Sequence, residues 1–76
     1  MPDLNPAQFA LVKQHPEFAA AVNFSRAAGE SGSYNAVNGA YTRIRQIAAD
    51  TGLDPAAVKK HPDIEAAYRK GQSQAR

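Results

Sequence analysis

Helix start and stop signals recur so often along this chain that only short helices fit between them. Asn5-Pro6 and Asp54-Pro55 each place a capping side chain before a proline at the first helical position. Gly29, Gly52 and Gly71 stand where helices are expected to end in a left-handed turn. No stretch shows the strict apolar–polar alternation of a strand. The punctuation predicts helices over 6–14, 16–28, 34–51, 55–60 and 62–70. The expected fold is all-α, a small bundle of four or five short helices around a central helix at 34–51. One helical domain covers residues 1–71, and residues 72–76 form a polar tail expected to be mobile.

At 76 residues a single apolar core is only marginally sufficient, and with no cysteine no disulfide can reinforce it. The absence of cysteine also removes thiolate metal sites and thiol nucleophiles. The apolar residues are rich in alanine and include no tryptophan, which suggests thin helices packed closely. No apolar run approaches the ~20 residues that span a bilayer. Met1-Pro2-Asp3-Leu4-Asn5-Pro6 lacks the basic and apolar regions of a signal peptide. A cytoplasmic or virion-associated protein is expected, with no membrane partner.

The central segment has the clearest periodicity. Tyr34, Val37, Tyr41, Ile44 and Ala48 recur at spacings of three and four, a heptad-like stripe expected to face the core. Gly39 interrupts this helix at a cost of ~1 kcal/mol relative to alanine, so it either permits a close crossing or marks a break. The expected core comprises Phe9, Val12, Phe18, Val22, Val37, Tyr41, Ile44, Ile47, Leu53, Val58, Ile64 and Tyr68.

A weak internal repeat aligns Val12-Lys13-Gln14-His15-Pro16-Glu17-Phe18-Ala19-Ala20-Ala21 with Val58-Lys59-Lys60-His61-Pro62-Asp63-Ile64-Glu65-Ala66-Ala67. In each copy the proline ends one helix by excluding the α region at the preceding histidine, and an acid follows in the first turn of the next. Convergent helix-start chemistry and a duplicated helical hairpin both produce this pattern. The histidines read as boundary residues that satisfy a nearby backbone carbonyl. Two histidines without an ordered carboxylate set make no metal site, and no cofactor is expected.

Residues 30–41 carry a second pattern. Glu30, Ser31-Gly32, Tyr34-Asn35, Ala36-Val37-Asn38 and Gly39-Ala40-Tyr41 resemble the catalytic-glutamate segment of phage lysozyme-like and lytic-transglycosylase-like virion proteins. The resemblance implies peptidoglycan glycoside cleavage with Glu30 as general acid, and a loop rather than a helix from Gly32 to Gly39. Thr42 stands where that family usually has a second glycine, and Gln46 falls one residue late for its usual glutamine. A saccharide cleft also takes a domain of ordinary size, about 100–150 residues. Glu30 is therefore expected to be a solvated loop acid before a Ser33 helix cap, and no small-molecule substrate is expected.

Residues 47–58 weakly resemble a helix-turn-helix, with Ile47, Ala48, Gly52, Leu53 and Val58 at the expected offsets. The formal charge of +2 is concentrated beyond residue 34, where seven basic side chains face four acidic ones. Arg43, Arg45, Lys59, Lys60, Arg69 and Lys70 are the candidate nucleic-acid contacts. The second helix offers Pro55, Ala56, Lys59 and Lys60 but no Arg, Asn or Gln for a bidentate contact to a base edge. His61-Pro62-Asp63-Ile64-Glu65-Ala66-Ala67-Tyr68 also resembles, faintly, the C-terminal parts of small terminase subunits. The reading these features favour is a small non-enzymatic interaction module of phage type, virion- or packaging-associated. It would bind a protein partner or a second copy, with DNA as a further, weakly sequence-specific ligand. A helix-turn-helix DNA-binding protein and a reduced peptidoglycan hydrolase are the alternatives.

Overall fold

The computed structural model describes residues 4–75 and is all-α. Five helices follow one another: α1 (Pro6–Lys13), α2 (Phe18–Ser31), α3 (Tyr34–Thr51), α4 (Pro55–Lys59) and α5 (Pro62–Gln74). The helix starts follow local chemistry. At α1, the Asn5 side chain accepts from the Gln8 N–H and the Gln8 side chain accepts from the Asn5 N–H, each at 2.9 Å, a reciprocal capping box. Ser33 caps α3 by accepting from the Ala36 N–H. α3 then runs unbroken through Gly39 to a left-handed Gly52.

Two expected stops are helix interiors instead. α2 passes Gly29 and ends at Ser31, with Gly32 as the left-handed residue. α5 passes Gly71 and continues to Gln74, so the expected tail begins as helix; its last residue, Arg76, lies outside the described residues. The reason is packing. α2 makes its most extensive contact with α5. A Cβ on Gly29 would overlap the Tyr68 carbonyl oxygen, and one on Gly71 would overlap the carbonyl oxygen of Arg26. Each glycine lets one helix backbone touch the other. Gly39 does the same against the Phe24 ring, so it serves a close crossing and not a break.

The interior contains Leu4, Val12, Phe18, Ile44, Ile47, Val58 and Ile64 among its larger buried residues, with Phe9, Val22 and Leu53 packed against them. Alanines complete it, with Ala21, Ala28, Ala36, Ala40, Ala48, Ala57 and Ala67 all buried. Three expected core residues are on the surface: Val37, Tyr41 and Tyr68 are 46%, 44% and 43% exposed. Tyr34 of the expected stripe is also outside. α3 is rotated from the expected orientation, so that Ala36, Ala40, Ile44, Ile47 and Ala48 face inward. Close helix packing accounts for the error. Against α2 the inward face of α3 is Ala36, Gly39 and Ala40, with the Phe24 ring of α2 seated over Gly39.

Helical propensity and tertiary packing oppose each other at the interior glycines, which gives a signed prediction. In a solvated helix Gly→Ala stabilises by ~1 kcal/mol. Gly71→Ala and Gly29→Ala are expected instead to destabilise by ~3 kcal/mol or more, because the added methyl meets backbone that cannot yield. Gly52→Ala, with no atom near the new methyl and only a positive φ to strain, should cost ~1–2 kcal/mol. Urea unfolding of the three variants measures this order, and stabilisation by Gly71→Ala would contradict the crossing.

Candidate functional site

Two features of α3 have chemistry to offer, and they lie on different faces. The first is an open groove of about 420 Å³ lined by His15, Pro16, Glu17, Thr42, Arg43, Gln46 and Asp50. It forms where the turn between α1 and α2 is clamped to α3. The His15 Nε2 lies 2.7 Å from Asp50 Oδ2, and the Gln46 amide donates to both Asp50 oxygens at 3.0–3.1 Å. The Arg43 Nε lies 3.2 Å from Glu17 Oε1 without being aimed at it, and the guanidinium stacks on the Phe24 ring at 5.0 Å.

A histidine and an aspartate in a groove invite a catalytic reading, and hydrogen-bond inventory removes it. The His15 Nδ1 accepts from the Glu17 N–H at 3.0 Å, so the ring proton sits on Nε2 and is donated to Asp50. No ring lone pair remains for a general base or a metal ligand. His61 repeats the device: its Nδ1 accepts from the Asp63 N–H at 3.1 Å and its Nε2 faces the Phe9 carbonyl oxygen at 3.3 Å. His61 is buried, with the Phe9 and Phe18 rings edge-on at 5.2 and 5.1 Å. Both repeat copies therefore form one junction, a fully buried valine followed by a histidine that caps the next backbone turn. Among the described residues no three histidine or carboxylate side chains gather as a metal site.

The second feature is the outer face of α3. Tyr34, Asn38, Tyr41 and Arg45 fall at i, i+4, i+7 and i+11, one exposed ridge with Val37 at its edge. The Arg45 guanidinium lies 4.7 Å from the Tyr41 ring centroid, and Lys59 of α4 brings its Nζ to 5.9 Å of the same ring. Two of the six candidate basic residues are thus brought together around one aromatic ring. Arg43 is turned into the groove toward Glu17, and Arg69 pairs along α5 with Glu65 at 3.8 Å. Lys60 and Lys70 are exposed and without an ion pair among the described residues.

The two resembling segments take ordinary helical form. Glu30 is exposed as expected and lies outside the groove, but it sits in the last turn of α2 and not in a loop, because α2 continues past Gly29 to Ser31, and the chain is helical again from Tyr34. Ile47, Ala48 and Val58 are buried and Leu53 partly so, which locks α4 onto α3, but α4 has only five residues. No helix of the described residues is long and apolar enough to cross a membrane. No protein family, curated protein or solved structure matches the chain. The role of Tyr41 as the centre of a cationic cluster was not evident from spacing, because Lys59 reaches it from another helix.

The clamp has a pH signature. The Gln46 amide first, and His15 second, hold the Asp50 carboxyl below its ordinary value. A group whose folded-state pKa is depressed stabilises the fold above its unfolded pKa and loses that contribution as pH falls through the folded value. Asp50→Asn should therefore lower the thermal midpoint at neutral pH. The gap from wild type should close as the pH drops below about 4. Thermal unfolding followed by circular dichroism across that range measures it, and a gap that stays constant with pH would show that the carboxylate is not the stabilising group.

Proposed function

We propose that this protein is a small non-enzymatic interaction module that binds a protein partner through the outer face of α3. One observation carries the reading. The apolar series Tyr34, Val37 and Tyr41 remains 78%, 46% and 44% exposed while the interior is completed without it. Exposed apolar residues gathered on one element mark interaction surfaces, and tyrosine suits them because its ring buries area while its hydroxyl stays hydrated. The assignment to a phage virion or packaging assembly rests on the resemblance of residues 30–41 to virion hydrolases.

DNA is the second reading, favoured by Arg45 and Lys59 on that face. α4 supplies no Arg, Asn or Gln for bidentate base contact, so binding through these cations would chiefly read phosphate, with little sequence preference and a steep loss in salt. A photo-crosslinking side chain at Val37, with one at the exposed Ala66 of α5 as control, tests the protein reading in the cells that make the protein. A discrete protein adduct from position 37 and none from position 66 is expected. Adducts of equal yield from both positions, or none from either, would overturn it.

A further inference from the structure

We infer that the outer face of α3 takes an acidic amphipathic helix of a partner protein, with apolar side chains on Tyr34, Val37 and Tyr41 and carboxylates on Arg45 and Lys59. The inference rests on the interaction reading above and specifies the chemistry of the occupant.

Charge is the first argument. Among the described residues the ion pairs engage Lys13 with Asp63, Arg43 with Glu17 and Arg69 with Glu65. Among the described residues Arg45 and Lys59 have no carboxylate within ion-pairing distance, and both lie beside the exposed Tyr41. Both rest against the Tyr41 ring, so part of their conformational freedom is already restricted before anything binds.

Shape is the second. Tyr34, Val37 and Tyr41 follow the three-four spacing of a helix-packing stripe, and the complement of such a stripe is the apolar face of another helix. A nucleic acid fits this face less well. Its phosphates could reach the two cations, but nothing in its backbone would cover Val37. The Tyr41 ring, on which a base would stack, is already attended by both cations. A second copy fits less well again. An isologous contact sets the same patch against itself, and the ridge Tyr34, Asn38, Tyr41, Arg45 contains no acid to meet Arg45 and Lys59.

The test is a titration of the full chain, followed by backbone amide NMR, with three probes. One is a helical peptide with leucines at three-four spacing flanked by glutamates. The second has lysine in place of every glutamate, and the third is an oligothymidylate. The acidic peptide should shift the amides of residues 34, 37, 41, 45 and 59 and bind about tenfold more tightly than the basic one. The double variant Arg45→Glu, Lys59→Glu, both positions being exposed, should keep the helical circular dichroism and reverse that preference. Equal binding of the two peptides, shifts centred elsewhere, tighter binding of the oligothymidylate at this face, or no shift by any probe would each overturn the inference. If crosslinking at position 37 still traps a protein in those cases, the interaction reading stands and only the acidic helical partner is lost.

Discussion

Two helices in backbone contact set the terms for the rest of this molecule. α2 and α5 meet reciprocally, Gly29 against the Tyr68 carbonyl and Gly71 against the Arg26 carbonyl. At that separation only small side chains fit between elements, and the buried positions nearby are Ala28, Ser25 and Ala67. The larger apolar residues share one cluster, in which Phe18 and Ile64, near the other end of the same two helices, meet Val12, Ile44, Ile47 and Val58. A small chain without disulfides thus divides its interior into a region of close approach and a region of bulk. Dispersion and apolar burial act in both, through many short contacts in the first and larger side chains in the second.

The division explains why the aromatic residues of α3 are outside. The first half of the helix lies where α2 is close, and it presents Ala36, Gly39 and Ala40 inward. Phe24 fills the space over Gly39, and Arg43 closes over Phe24. Tyr34 and Tyr41 are left on the opposite side. There, Arg45 and Lys59 gather about Tyr41, while the groove side of α3 spends its charges internally on Glu17 and His15. One helix therefore has a polar groove face engaged with Glu17 and His15, a buried small-residue face, and an outer face with exposed rings and, among the described residues, cations without an ion pair.

The histidine junctions add rigidity of a different kind. Each X-Pro step leaves a backbone N–H at the next turn without a helical acceptor, and each histidine supplies one through Nδ1. The opposite ring nitrogen is then committed to donation, from His15 to the Asp50 carboxylate of α3 and from His61 toward the Phe9 carbonyl of α1. A local cap becomes a tertiary link in both cases. This gives the repeat of composition a structural account: the same connection is made twice.

By itself the sequence determined what is local. Asn5-Pro6, Ser33 and Gly52 specify helix ends through side-chain and backbone chemistry within a few residues, and the all-α class and the span of α3 follow from them. Val12, Ile44, Ile47, Val58 and Ile64 were legible as core because they are large, apolar and correctly spaced. The tertiary structure alone decided which face of α3 turns inward and what Gly29 and Gly71 are for. A glycine can end a helix or admit a neighbour, and the choice depends on a second helix some forty residues away in the chain. It also decided that Tyr41 would lie beside Lys59, a neighbour set by the corner between α3 and α4 and not by any spacing along one helix. Periodicity identifies an apolar stripe, but whether that stripe is core or surface depends on the space its neighbours leave, and here the small face of Ala36, Gly39 and Ala40, with Phe24 seated over Gly39, is the one turned inward.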